Sequence, residues 1–183
     1  RMQKETNQHM KVYIFEGIDG SGKSTAARAL KEYWESEGKT VLSLREPSGY
    51  FRELLIKGCL PEGDCIQHLD EWMIFWMGRL EMWRKEIVPR QEEDIVVIID
   101  RSYASTYAYQ IEGRELVFFT KSFYYWKNNV IALFNPKFVK IHHLYLRISV
   151  KTGLARIGAR VEGELKEFEQ EEKKEVKLKV EKE

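Results

Sequence analysis

Four short apolar runs punctuate the chain, at residues 11–15, 40–44, 95–99 and 141–146. Each is rich in Val, Ile, Leu or aromatic residues and about five residues long, the length of a strand buried on both faces. Between them, apolar positions recur at helical spacing over 24–37, 69–88 and 121–133. Strands alternating with helices predict an α/β domain built on a parallel sheet. Residues 161–183 are mostly Glu and Lys, and Glu162/Lys166, Glu169/Lys173 and Glu175/Lys179 are i,i+4 pairs in the favourable orientation, which predicts a solvated helix. Residues 1–9 are polar and patternless and read as a leader before a native start at Met10. One domain is therefore expected over 10–183, with no internal repeat.

Composition narrows the function. The chain has 183 residues, 43% of them hydrophobic and 32% charged, which is one domain's worth and enough for a core without disulfides. Thirty Lys and Arg against 29 Asp and Glu leave a formal charge of +1. A nucleic-acid partner would call for a basic excess, so any anion site has to be a local cluster of cations. No apolar run approaches the ~18 residues of a membrane span, and no signal-peptide core is present. Cys59 and Cys65 stand in neither a metal-ligand nor a redox spacing, so reduced thiols and a cytoplasmic setting are expected. His142 and His143 have no third ligand at suitable spacing and are read as structural.

The sharpest chemical signal is Gly17-Ile18-Asp19-Gly20-Ser21-Gly22-Lys23-Ser24, followed by Thr25. It matches G-x-x-x-x-G-K-[ST] and lies between a predicted strand and a predicted helix, as the mechanism demands. The glycines let the backbone curl so that N–H groups face phosphate oxygens at the positive end of a helix dipole. Lys23 is placed to reach the terminal phosphates, and the Ser24 hydroxyl to hold Mg²⁺. The chain is therefore expected to bind a nucleoside triphosphate or a molecule built like one.

Ligands of open parallel sheets sit outside the carboxyl ends of the strands, and those ends carry charge here. Arg45-Glu46-Pro47 follows the second run and Asp100-Arg101 closes the third. A carboxylate in the position of Asp100 is the usual second anchor for Mg²⁺, through water. Arg45 or Arg101 alone reads as a surface ion-pair partner. Together, at two strand ends beside the loop, they point to a second anion site, because fixed cations must offset the repulsion between a triphosphate and a phosphorylated acceptor. On the long helix, Phe75 and Arg79 share a face at i,i+4, which suits stacking on a base while its edge is hydrogen-bonded. On spacing alone, core packing is the commoner role for Phe75, and Trp72, Ile74, Trp76, Leu80 and Trp83 read mostly as core.

These residues resemble the thymidylate kinase family of P-loop nucleoside monophosphate kinases. The likeness rests on Phe15 to Thr25, on Arg45-Glu46-Pro47, on Phe75 with Arg79, on the run from Asp100 to Gln110, and on Gly153-Leu154-Ala155-Arg156, collinear over about 11–170. It implies a P-loop NTPase three-layer α/β/α fold with a central parallel sheet of about four to five strands and a small helical lid near 151–168. It implies transfer of the γ-phosphoryl of ATP, bound with Mg²⁺, to dTMP, giving dTDP. Asp19 would contact the sugar 3′-hydroxyl or the metal shell, and Arg45 and Arg101 would grip the acceptor phosphate. Phe75 would stack on thymine with Arg79 on its edge, Ser105 and Thr106 would line the base pocket, and Tyr109 would crowd the sugar 2′ position. Arg156 and Arg160 are the lid arginines that would neutralise the transferring phosphoryl. A homodimer is also implied, and Trp72, Trp76 and Trp83 suit either its interface or the core.

Gly20 stands where some members carry an arginine, and members with glycine there rely on the lid. Gly158 and Glu167 occupy places where such members tend to have arginine, Ser48 replaces a glycine, and Arg147 stands where Asp usually ends the fourth strand. No counterpart of the family's fifth strand and final helix is expected within the chain. Two other readings stay open: a deoxynucleoside kinase, since Asp100-Arg101-Ser102 also resembles that group's motif, and a nucleotide binder without turnover. A GTPase switch lacks its N-K-x-D segment here.

Overall fold

The sheet is built on a strand whose side chains alternate in depth. In β1 (Met10–Glu16), Met10, Val12 and Ile14 are fully buried while Lys11 and Tyr13 are partly open. The computed structural model describes residues 10–47, 49–56, 65–112, 120–131, 135 and 137–163. The expected leader at 1–9, Ser48, Cys59, Glu167 and most of the charged run after 161 lie outside the described residues.

From β1 the chain runs through α1 (Lys23–Ser36), β2 (Thr40–Arg45), α2 (Gly49–Ile56) and α3 (Cys65–Met82) to β3 (Ile95–Asp100). It continues through the short α4 (Tyr103–Thr106), α5 (Thr120–Ile131) and β4 (Val139–Tyr145) to α6, at 150–163. The strands lie in the order β2-β3-β1-β4, and every pairing is parallel. Two compact units result, one of residues 10–17 and 23–145 and the other of 18–22 and 146–163 among those described. The first holds the sheet. On one sheet face, Val12, Ile14, Val97 and Ile99 pack with Trp76 and Trp83, and with Phe123 of α5. On the other face, Tyr13 meets Trp34 of α1 at a ring separation of 6.3 Å. These are the three layers of a P-loop-type α/β fold.

Three expectations are corrected. Burial on both faces holds for β3 but not for β2 or β4, because among the described residues those two strands form the edges of the sheet and each has one open flank. The fourth strand starts at Val139 and ends at Tyr145, two residues early and one short, because its ladder begins opposite Met10. The long helix is not α-helical to residue 88: after Met82 the chain widens into a π-helical stretch, Trp83–Ile87, then a 3₁₀ turn at Val88–Arg90, where Pro89 cannot donate a backbone hydrogen bond. Trp72, Trp76 and Trp83 are 6%, 4% and 1% exposed and therefore belong to the core.

Candidate active site

Register brings the charged strand ends level. Asp100 pairs with both Phe15 and Arg45, so Glu16, the last residue of β1, lies level with Glu46 and Arg101, the residues just past β2 and β3. At the start of α1, Lys23 is 6% exposed and its Nζ donates to the Gly17 carbonyl at 2.9 Å. The Ser24 hydroxyl, one residue on, donates to Asp100 Oδ2 at 3.0 Å. Asp100 Oδ1 is buried without a hydrogen-bond partner. A hydroxyl beside a carboxylate with an unsatisfied oxygen is a donor set for a hard divalent cation that keeps several waters. No cluster of three or more His, Cys, Asp or Glu forms a separate metal cage among the described residues. Ser24 and Asp100 therefore fit Mg²⁺.

In the second unit, the Ser21 N–H donates to the Ile18 carbonyl at 3.1 Å, closing a turn in which Gly20 (φ +76°) and Gly22 (φ +93°) take left-handed backbone. Arg156 Nη1 donates to the Gly20 carbonyl at 3.1 Å. Arg160 stands exposed one turn further along α6, and Asp19 is exposed in the loop. Thr25, back in the first unit, is exposed on α1.

Around β2 and α3 the first unit is organised by a carboxylate to which the sequence reading gave no role. Glu46, 4% exposed, accepts from Arg79 Nε at 2.7 Å, from Trp83 Nε1 at 3.2 Å and from the Ser102 hydroxyl at 3.2 Å, and forms an ion pair with Arg79, whose Nη2 lies 2.6 Å away. Arg79 is 1% exposed, also donates to Thr106 Oγ1 at 2.7 Å, and lies with Cζ 4.6 Å from the Trp76 ring. Its Nη1 is buried with no partner. Arg79 and Thr106 are thus brought together. Phe75 is half-buried on α3, and Arg45 is exposed at the end of β2.

A second carboxylate organises the chain after β3. Glu16 accepts from the N–H groups of Ser102 (3.0 Å) and Ala104 (3.1 Å) and from the Ser105 hydroxyl (2.5 Å). It thereby serves the open amides at the start of α4. Arg101 has φ +69°, donates its N–H to the Phe15 carbonyl at 3.0 Å, and lies with Cζ 5.6 Å from the Tyr109 ring. Left-handed backbone costs a non-glycine residue roughly 1–2 kcal/mol, and such strain clusters at functional sites. Behind α4, the Tyr103 hydroxyl lies 2.8 Å from His143 Nε2. Burial, with the Glu16 charge second, pushes the Tyr103 phenol up to about 12, and burial holds the His143 imidazole below its usual value. One signal could have found Glu16 and Glu46: each is an acidic residue at or just past the end of an apolar strand.

A family model described as thymidylate kinase matches residues 15–183. A thymidylate kinase of Chlorobaculum parvum is 43% identical over 107 residues, which are 56% of this chain and 48% of that protein. One of Francisella philomiragia is 32% identical over 155 residues, or 81% of this chain and 71% of that protein. A crystal structure of a thymidylate kinase from Ehrlichia chaffeensis covers 82% of this chain and 98% of its own, at 27% identity and a TM-score of 0.49. The chain spans about half the length of the curated relatives it matches at the higher identities. With the family pattern beginning inside β1 and one relative aligned over four fifths of the chain, the protein belongs to the thymidylate kinase family.

Proposed function

We propose that this chain transfers the γ-phosphoryl group of ATP to dTMP. The observation that carries the reading is a juxtaposition of consecutive residues. Asp100 is bonded to Ser24 of the phosphate-loop helix, and Arg101, on left-handed backbone, lies with its Cζ 5.6 Å from the Tyr109 ring. Metal corner and acceptor cation are one residue apart, as an in-line transfer between two anions requires. Lys23 binds the terminal phosphates, and Ser24 and Asp100 hold Mg²⁺, which when bound neutralises charge developing on the phosphates. Arg45 and Arg101 bind the acceptor phosphate, with Asp19 near the sugar. Phe75 and Arg79 hold the base, Ser105 and Thr106 line its pocket, and Tyr109 borders the sugar. Arg156 and Arg160 offset the charge on the group in flight.

The same reading carries a homodimer and a cytoplasmic setting. Met73 and Met77, 48% and 51% exposed on α3, are the apolar surface such a dimer would cover, and sedimentation tests it. Among the described residues no helix is long and apolar enough to cross a membrane. The deciding experiment is ADP release with ATP–Mg²⁺ and either dTMP or thymidine. Turnover with dTMP alone is expected. Turnover with thymidine alone would make the chain a nucleoside kinase, and ATP binding without turnover would leave it a nucleotide binder.

A further inference from the structure

The middle of the phosphate loop meets α6, within the second unit, through two glycines. Ser149 starts the helix: its Oγ accepts from the Thr152 N–H at 3.1 Å and its carbonyl from the Gly153 N–H at 3.0 Å. Gly153 is the one buried residue of the helix at 150–163. A Cβ there would lie 2.7 Å from the Asp19 carbonyl oxygen and 3.2 Å from Ile18 Cδ1. A Cβ on Gly20 would lie 2.5 Å from the Gly153 carbonyl oxygen. The 2.7 Å and 2.5 Å approaches are to main chain, which cannot swing aside as a side-chain tip can. Gly158, in the same helix, has nothing within 4 Å of its added Cβ. Glycine weakens a helix interior, so the close approach supplies a reason for it at 153 that is absent at 158.

We infer that Gly153 is a positioning residue. Its missing Cβ sets how near α6 stands to residues 18–20, and so fixes where Arg156, three residues on and bonded to the Gly20 carbonyl, holds its guanidinium. An arginine at position 20 would carry a Cβ into the Gly153 carbonyl, so this loop takes its extra cation from the helix only while both positions stay glycine. The inference rests on the kinase reading for its catalytic consequence, and on the glycine contacts alone for its structural one.

The test combines Gly153→Ala, Gly158→Ala, Arg156→Ala and the double variant Gly153→Ala/Arg156→Ala. With ATP and dTMP, Gly153→Ala is expected to lower kcat about tenfold, as a misplaced catalytic group does, with the KM for dTMP little changed. In the Arg156→Ala background the same change should cost less than about twofold, the mark of two residues acting as one unit. Gly158→Ala should match the parent. An equal kcat loss in both backgrounds, or the same loss from Gly158→Ala, would overturn the inference. Hydrogen exchange at amides 18–22 gives a readout that needs no turnover: it should rise in Gly153→Ala and stay level in Gly158→Ala, and no rise would refute the glycine joint. Absent dTMP turnover by the parent chain would instead sink the kinase reading and leave the joint to the exchange result.

Discussion

At the phosphate-loop corner of the first unit, Ser24 is exposed and touches Asp100 through one 3.0 Å hydrogen bond. At the Glu46 hub, Arg79, Thr106, Ser102 and Trp83 are 2% exposed or less, and Glu46 accepts from three of them. The first region is shaped by backbone curvature and leaves its polar groups ready for a ligand. The second is a buried ion pair with its own hydrogen-bond shell, where attraction has to offset the cost of taking both charges out of water. A side chain lost from the first should cost chemistry and spare the fold. One lost from the second should cost the fold as well.

Glu46→Ala is the most severe way to probe that contrast. It leaves the Arg79 guanidinium buried and unpaired and should lower stability by about 3–5 kcal/mol, whereas Ser24→Ala should cost under about 1 kcal/mol. Urea midpoints measure both, and equal losses would erase the distinction. Next comes Asp100→Asn, expected to reduce ATP–Mg²⁺-dependent turnover about a hundredfold with a nearly unchanged midpoint. Arg101→Gly should move stability and activity in opposite directions: relief of left-handed strain adds roughly 1 kcal/mol, while loss of the guanidinium weakens dTMP use.

Outside both regions, stability also depends on pH behind α4. The unfolded chain binds the His143 proton near 6.5, but the folded chain resists it because burial lowers that pKa. Stability therefore falls as pH drops below about 6.5, and His143→Gln should flatten that slope in denaturation series. Tyr103 works at the other end. The unfolded phenol ionises near 10 and the folded one at about 12, so stability falls as pH rises from about 10 to 12. Tyr103→Phe should remove that fall.

The contrast also explains what could be read from the chain beforehand. Gly17 to Thr25 is legible because its chemistry is contiguous, and Asp100 because it terminates an uninterrupted apolar run. Parallel pairing follows from the alternation of strand and helix patterns, whereas the order β2-β3-β1-β4 and the choice of core over interface for the tryptophans come only from the tertiary contacts. Glu46 and Glu16 stayed silent because their partners lie far along the chain: Arg79 is 33 residues from Glu46, and Ser102 is 86 from Glu16. Periodicity reports that a position is buried, not which distant group it meets. The wider turn at Trp83 was hidden for a related reason, since a single π turn set into an α-helix holds too few apolar positions for its longer period to show.

Five of the six residues of β3 are buried, with only Asp100 partly open. Its two faces are chemically alike, so sliding the strand by one position would exchange one aliphatic surface for another at little hydrophobic cost. Apolar content therefore cannot choose the alignment, and the choice falls to the polar clasp where the strand stops. There the Glu46 N–H meets the Asp100 carbonyl at 3.2 Å, the Arg101 N–H meets the Phe15 carbonyl, and Ser24 meets the Asp100 side chain. Two of these bonds are main chain to main chain and survive any side-chain change, so only the Ser24–Asp100 bond is shared between the strand's end and the chemistry assigned to it.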